Sequence, residues 1–97
     1  MTYSFHPEAE FELNVAVDYY EESQTNLGAE FAYEIQKTIQ RILKFPTTWQ
    51  KLDGDIRRCL VNRFPFGVIY YQKDEQIIIL AIMQLQRKPN YWKDRFR

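Results

Sequence analysis

Apolar positions change their period midway along the chain. Between Pro7 and Gln24 they fall at Ala9, Leu13, Ala16 and Tyr20, with Val17 beside them, which lays one stripe along a helix. Pro7 suits the first helical position because an N–H there has no partner to lose, and Glu8 and Glu10 favour the positive end. Thr25-Asn26-Leu27-Gly28 breaks the pattern. A second stripe follows at Phe31, Ile35, Ile39 and Ile42 and is stopped by Pro46. The two stripes predict a helical hairpin, preceded by a short β-prone segment from Thr2 to Phe5.

From Ile56 onward the pattern is that of strands. Ile56 to Asn62, Gly67 to Gln72 and Gln76 to Leu85 are joined by the Phe64-Pro65-Phe66 corner and by Lys73-Asp74-Glu75, and connections that short imply an antiparallel meander. The unbroken apolar run Ile77 to Met83 predicts a central strand with both faces covered, whereas Arg57 and Arg58 mark the first strand as more exposed. Thr47 to Asp55, polar and carrying the Asp53-Gly54 turn signal, is expected to be a loop. After Pro89 a short helical or irregular tail holds Tyr91 and Trp92. The expected fold class is α+β: an N-terminal strand, an antiparallel helical hairpin, a three-stranded antiparallel meander and a short C-terminal tail. With no repeat or linker in sight, residues 1–97 read as one domain.

Composition adds three restrictions and one asymmetry. A chain of 97 residues, 45% hydrophobic, can bury roughly 60–70% of its unfolded surface around one core but not two. Its single cysteine, Cys59, lies beside Leu60 and Val61 and reads as a buried, unreactive thiol suited to a reducing compartment. Met1 to Pro7 carries neither a basic leader nor a hydrophobic signal, and no apolar run approaches the ~20 residues of a membrane helix, so a soluble cytoplasmic protein is expected. The asymmetry lies in charge. Residues 1–36 hold eight acids and no Lys or Arg, while residues 37–97 hold thirteen cations against five acids, so a net charge of zero hides halves of −8 and +8. Such a division either solvates two faces or gathers a basic patch for an acidic partner or nucleic acid.

One histidine, one cysteine and no HExxH, GxSxG or P-loop pattern leave no recognised catalytic or metal site, and no cofactor is implied. The chemistry is concentrated instead at the carboxyl end, in Gln86-Arg87-Lys88-Pro89-Asn90-Tyr91-Trp92-Lys93-Asp94-Arg95. Cations and flat aromatics there can bond phosphates or carboxylates and stack on bases or a partner's side chains.

Taken in order, Phe5-His6-Pro7-Glu8-Ala9, Tyr19-Tyr20-Glu21, Leu27-Gly28 with Phe31, Ile56-Arg57-Arg58, Arg63-Phe64-Pro65-Phe66 with Tyr70, Ile79-Leu80-Ala81-Ile82, and Arg87-Lys88-Pro89 with Tyr91-Trp92 are similar to the RelE/ParE superfamily of type II toxins over nearly the whole chain. The resemblance implies a toxin neutralised by a cognate antitoxin in a hetero-oligomer. It also implies one of two targets, DNA gyrase for ParE-like members or the ribosome and its mRNA for RelE-like endoribonucleases; a non-toxic, interaction-only relative is a third possibility.

Chemistry favours the ParE-like reading. RNA cleavage through the ribose 2′-hydroxyl needs a proton acceptor, a proton donor and cations for the phosphorane. Arg57, Arg58, Arg63, Arg87 and Lys88 supply cations, but His6 sits at the first strand-to-helix corner and the position where many relatives carry a histidine is Gln84. Tyr91 serves only if neighbouring cations lower its pKa from about 10. The expected target-binding residues are Arg57, Arg58, Arg63, Arg87, Lys88, Tyr91 and Trp92, with Arg63, Arg87 and Tyr91 as the catalytic set if the chain is a nuclease. Tyr19, Phe31, Trp49 and Tyr71 are candidates for an antitoxin-binding groove between hairpin and sheet.

Overall fold

A computed structural model describes residues 1–96. Strand β1 (Thr2–Phe5) leads into helices α1 (Pro7–Ser23) and α2 (Leu27–Lys44), followed by strands β2 (Gln50–Asp53), β3 (Ile56–Leu60), β4 (Phe66–Lys73) and β5 (Gln76–Gln84), and a 3-10 turn at Lys93–Arg95. The five strands form one sheet in the order β1-β5-β4-β3-β2. Strands β2 to β5 make an antiparallel meander, and β1 joins it in parallel beside β5.

Two expectations change. The meander has four strands, because the loop foreseen over residues 47–55 contains β2. Its Gln-Lys-Leu-Asp sequence offers a single apolar side chain, Leu52, so no alternation shows, yet a strand at the sheet edge needs only one covered residue. Consequently β3 is interior rather than an edge. Arg57 and Arg58 are half-buried there because each guanidinium finds a local acceptor, the Trp49 carbonyl at 2.8 Å and Gln50 Oε1 at 2.8 Å respectively. Asp53-Gly54 does form the turn, with Gly54 at φ 56°, a conformation in which a side chain is strained.

The hairpin closes by a close contact and a borrowed cap. Any Cβ on Gly28 would lie 2.6 Å from the Val17 carbonyl oxygen, so only glycine lets α1 and α2 approach this closely. Asn26 makes no side-chain cap for α2; the Glu21 carboxylate of α1 does so instead, accepting from Asn26 N at 3.0 Å and Gly28 N at 3.1 Å. At the other end, His6 caps α1 through Nδ1, which accepts from Glu8 N at 3.1 Å.

Each face of the sheet has its own apolar cluster. Under the hairpin, Ala9, Ala16, Phe31, Ile35, Ile39 and Ile42 meet Val68, Tyr70, Ile77, Ile79 and Ile82, with Tyr20, Phe31, Phe64 and Phe66 stacked at centroid distances of 4.9–6.2 Å. On the opposite face, Ile56, Ile69, Leu80, Ala81 and Met83 are covered by Trp92 from the C-terminal segment. A register shift, in which Ile69 faces Ala81 but Tyr70 faces Ile79, leaves Leu80 as an extra residue in β5. The bulge lies just past Phe5↔Ile79, the last β1–β5 pair.

Candidate functional site

Where β1 stops, β5 is left with bare backbone groups, and two charged side chains serve them. Glu12 follows Ala9 by three residues and precedes Ala16 by four, so it shares the inward face of α1. Its carboxylate, 11% exposed, accepts from Ile82 N at 3.1 Å. Arg95, 8% exposed, donates from Nη1 to the Leu80 carbonyl at 3.0 Å and to Glu12 Oε1 at 2.9 Å, and from Nη2 to Glu12 Oε2 at 3.1 Å. The Tyr91 hydroxyl donates to Glu12 Oε2 at 2.7 Å, and Arg87 Nη1 reaches the same oxygen at 3.3 Å. Both guanidiniums also lie against the Tyr91 ring, that of Arg87 at 3.7 Å from the centroid and that of Arg95 at 5.0 Å. One carboxylate thus gathers three side chains of the C-terminal strap, residues 85–96, against the hairpin.

The electrostatics follow from this knot. The Tyr91 hydroxyl is raised above its ordinary value, first by burial and then by the bond to Glu12 and its charge; Arg87 and Arg95 pull the other way and lose. That reverses the expectation that neighbouring cations would lower it. Burial alone would lower the Arg95 guanidinium, but the bonds and charge of Glu12 outweigh burial and leave it raised. Burial likewise pushes the Cys59 thiol up, against a smaller opposing pull from Arg41, as suits an unreactive core cysteine.

Among the residues expected at a target surface, Arg87 and Tyr91 are brought into contact and Lys88 stands exposed beside them. The others are distributed. Trp92 is 1% exposed and pins the strap to the second face of the sheet. Arg57 and Arg58 alternate across β3 and bond on opposite sides of the sheet. Arg63, at φ 71°, donates to Glu30 at 2.6 Å and lies over the Phe64 ring. Much of the charge asymmetry is therefore spent internally, since Glu8, Glu12, Glu30 and Glu34 of the acidic half face Arg63, Arg87 and Arg95 of the basic half.

Beside the knot runs a groove of about 620 Å³. Phe11, Val15 and Tyr19, spaced by four along α1 and 50–68% exposed, form one wall. Pro65, Phe66, Ile82, Gln84 and Arg87 form the other, over a floor of Glu12, Ala16 and Tyr20. Of the four candidate antitoxin contacts, only Tyr19 lines this groove. Phe31 is a correction: at 0% exposure its ring is core, because its position in the α2 stripe faces the sheet, and no partner can touch it in the folded chain. Trp49 is half-buried against the hairpin-side core, and Tyr71 stacks edge-on against Phe96 on the other face at 4.6 Å. Glu12, Arg95, Phe11 and Val15 were missed. Glu12 was detectable as an acid in phase with Ala9 and Ala16, and Phe11, Val15 and Tyr19 as a second stripe on an already amphipathic helix. Arg95 lies within the cationic, aromatic run, but nothing local singles it out.

Among the described residues no group of three or more His, Cys, Asp or Glu is placed to hold a metal ion, and no helix is long and apolar enough to cross a membrane. A helical hairpin packed on an antiparallel meander, with the first strand closing in parallel and a cationic, aromatic strap behind it, is the architecture expected of the RelE/ParE class. Residues 3–89 match the family described as the ParE toxin of the type II toxin-antitoxin system parDE, and the chain belongs to that family. Among solved structures, a chain of the chromosomal ParDE TA system from P. aeruginosa superposes with a TM-score of 0.74 at 16% identity, over 89% of this chain and 97% of that one, a likeness of fold. No curated protein matches the sequence significantly.

Proposed function

We propose that this ParE-family toxin acts in the cytoplasm by binding DNA gyrase and blocking replication, without catalysing a reaction of its own. The observation that carries this reading is the commitment of the strap's polar groups. In-line cleavage of RNA needs a group that accepts a proton near neutral pH, yet the Tyr91 hydroxyl is donated to Glu12 and its pKa is raised, first by burial and then by that bond. His6 is spent on the α1 cap. Arg87 and Arg95, which would offset phosphorane charge, already face a carboxylate. What stays available is recognition: the half-exposed Arg87 guanidinium and neighbouring Lys88 can meet acidic groups of a protein.

The antitoxin, on this reading, seats an apolar segment in the groove between Phe11, Val15 and Tyr19 on one side and Pro65 and Phe66 on the other. Arg87 lines the same groove, so its occupant and the target compete for that side chain.

Purified protein should inhibit supercoiling by gyrase while leaving messages intact in a coupled translation reaction. Codon-spaced mRNA cleavage in ribosomes with gyrase unaffected would reverse the assignment. Unimpaired growth on expression without an antitoxin, with soluble protein present, would instead mark an interaction-only relative.

A further inference from the structure

Glu12 has more donors around it than its own burial requires. A carboxylate offers about four acceptor sites. Ile82 N–H, the Tyr91 hydroxyl and the two Arg95 nitrogens fill them at 2.7–3.1 Å. Arg87 is a fifth donor, at 3.3 Å and with 52% of its side chain in solvent. Removing Arg87 would leave the carboxylate satisfied; removing the carboxylate would leave Arg87 held only by the face of Tyr91. The dependence runs from Arg87 to Glu12.

We infer that Glu12 is a positioning residue for the target surface: through one oxygen it fixes the Arg87 guanidinium flat on Tyr91 and aims its free edge outward. This rests on the reading of Arg87 as a target-contacting group. A free arginine side chain loses much rotamer freedom when a partner captures it, and one ordered beforehand loses less, so pre-ordering appears as potency. The device also joins two parts of the chain, because the residue that aims the C-terminal arginine belongs to the first helix. Glu12→Gln keeps the shape and one acceptor oxygen but sets an amide N–H₂ where the second oxygen met the guanidiniums, which releases Arg87 first because its bond is the longest.

The test is a double-mutant cycle read as growth arrest, which does not presuppose the cellular target. Wild type, Glu12→Gln, Arg87→Ala and the double variant are expressed without antitoxin from a titratable promoter, and the toxin level for half-maximal arrest is measured beside the melting temperature. Glu12→Gln is expected to raise that level about tenfold, equivalent to 1.4 kcal/mol. Arg87→Ala should raise it further, and the double variant should match Arg87→Ala. A core variant, Ile69→Val, serves as the stability control and should keep wild-type potency at a comparable melting temperature. If Glu12→Gln is too unstable to purify, Glu12→Asp, which keeps the charge and shortens the reach, carries the same expectation.

Additive losses in the double variant, wild-type potency of Glu12→Gln, or an equal loss in Ile69→Val would each overturn the inference while leaving Arg87 at the target surface. Full potency of Arg87→Ala would remove the underlying reading and the inference together.

Discussion

The two faces of the sheet are covered by different means. The hairpin face is sealed by two helices whose apolar stripes supply Phe31, Ile35, Ile39 and Ile42, each at most 2% exposed. The tail face is sealed by a strap with a single 3-10 turn, one buried tryptophan and one shared carboxylate. Dispersion and burial spread over many side chains tolerate the loss of any one contact better than a cover resting on a few. The first face is therefore scaffold, and the second is where a small change moves Arg87 and Tyr91.

The sharpest test of that contrast is a pair of truncations. Phe31→Ala and Trp92→Ala each remove a large buried aromatic, at an expected cost of about 3–5 kcal/mol. Their signatures should differ. Phe31→Ala is expected to lower the global unfolding midpoint with amide exchange rising throughout, whereas Trp92→Ala should first release the amides of residues 85–96 while the hairpin stays protected. Equal, global loss of protection in both would show that the strap and hairpin are one cooperative unit.

Alkaline pH probes both faces at once. Tyr70, under the hairpin, and Tyr91, on the strap, are each raised above their ordinary value, chiefly by burial. The folded chain thus holds these phenol protons more tightly than the unfolded chain, so stability is fully present below about pH 10 and falls as pH rises beyond it. Melts between neutral pH and pH 11 should show this decline, with Tyr70→Phe and Tyr91→Phe each flattening part of it. A decline unchanged in both variants would place the titrating group elsewhere. The smallest effect is expected at Lys93, whose 3.3 Å pair with Asp53 is half-exposed at both ends. Lys93→Ala should shift stability by less than about 1 kcal/mol in a denaturant melt.

How much of this was legible divides along the same line. Period and punctuation placed β1 at Thr2–Phe5, α1 from Pro7, and three of the four meander strands to within a residue or two at most ends. The helices were readable because their partners lie at fixed spacing on the same element. Strand β2 was not, since Gln50, Lys51 and Asp53 face solvent and only Leu52 reports a neighbour. The Glu12 knot was harder still. Its members are separated by most of the chain, and an acid on an apolar stripe tells that a partner exists without telling which arginine supplies it. Arg87 and Tyr91 were marked by composition, but their order against the hairpin comes from the β5 bulge and the early end of β1, which no local pattern encodes.

The pairing of Thr2 with Gln76 dictates an order of assembly. During synthesis the helices can wind as soon as they emerge, but their apolar faces have no floor until β4 and β5 follow. The last strand made must then slot between the first and its immediate predecessor. Closing so long a loop is entropically late and makes the barrier sensitive to anything that holds the amino-terminal strand in place. A nascent chain of this kind stays open, with Phe31, Ile35, Ile39 and Ile42 in solvent, until β5 is free to move into place.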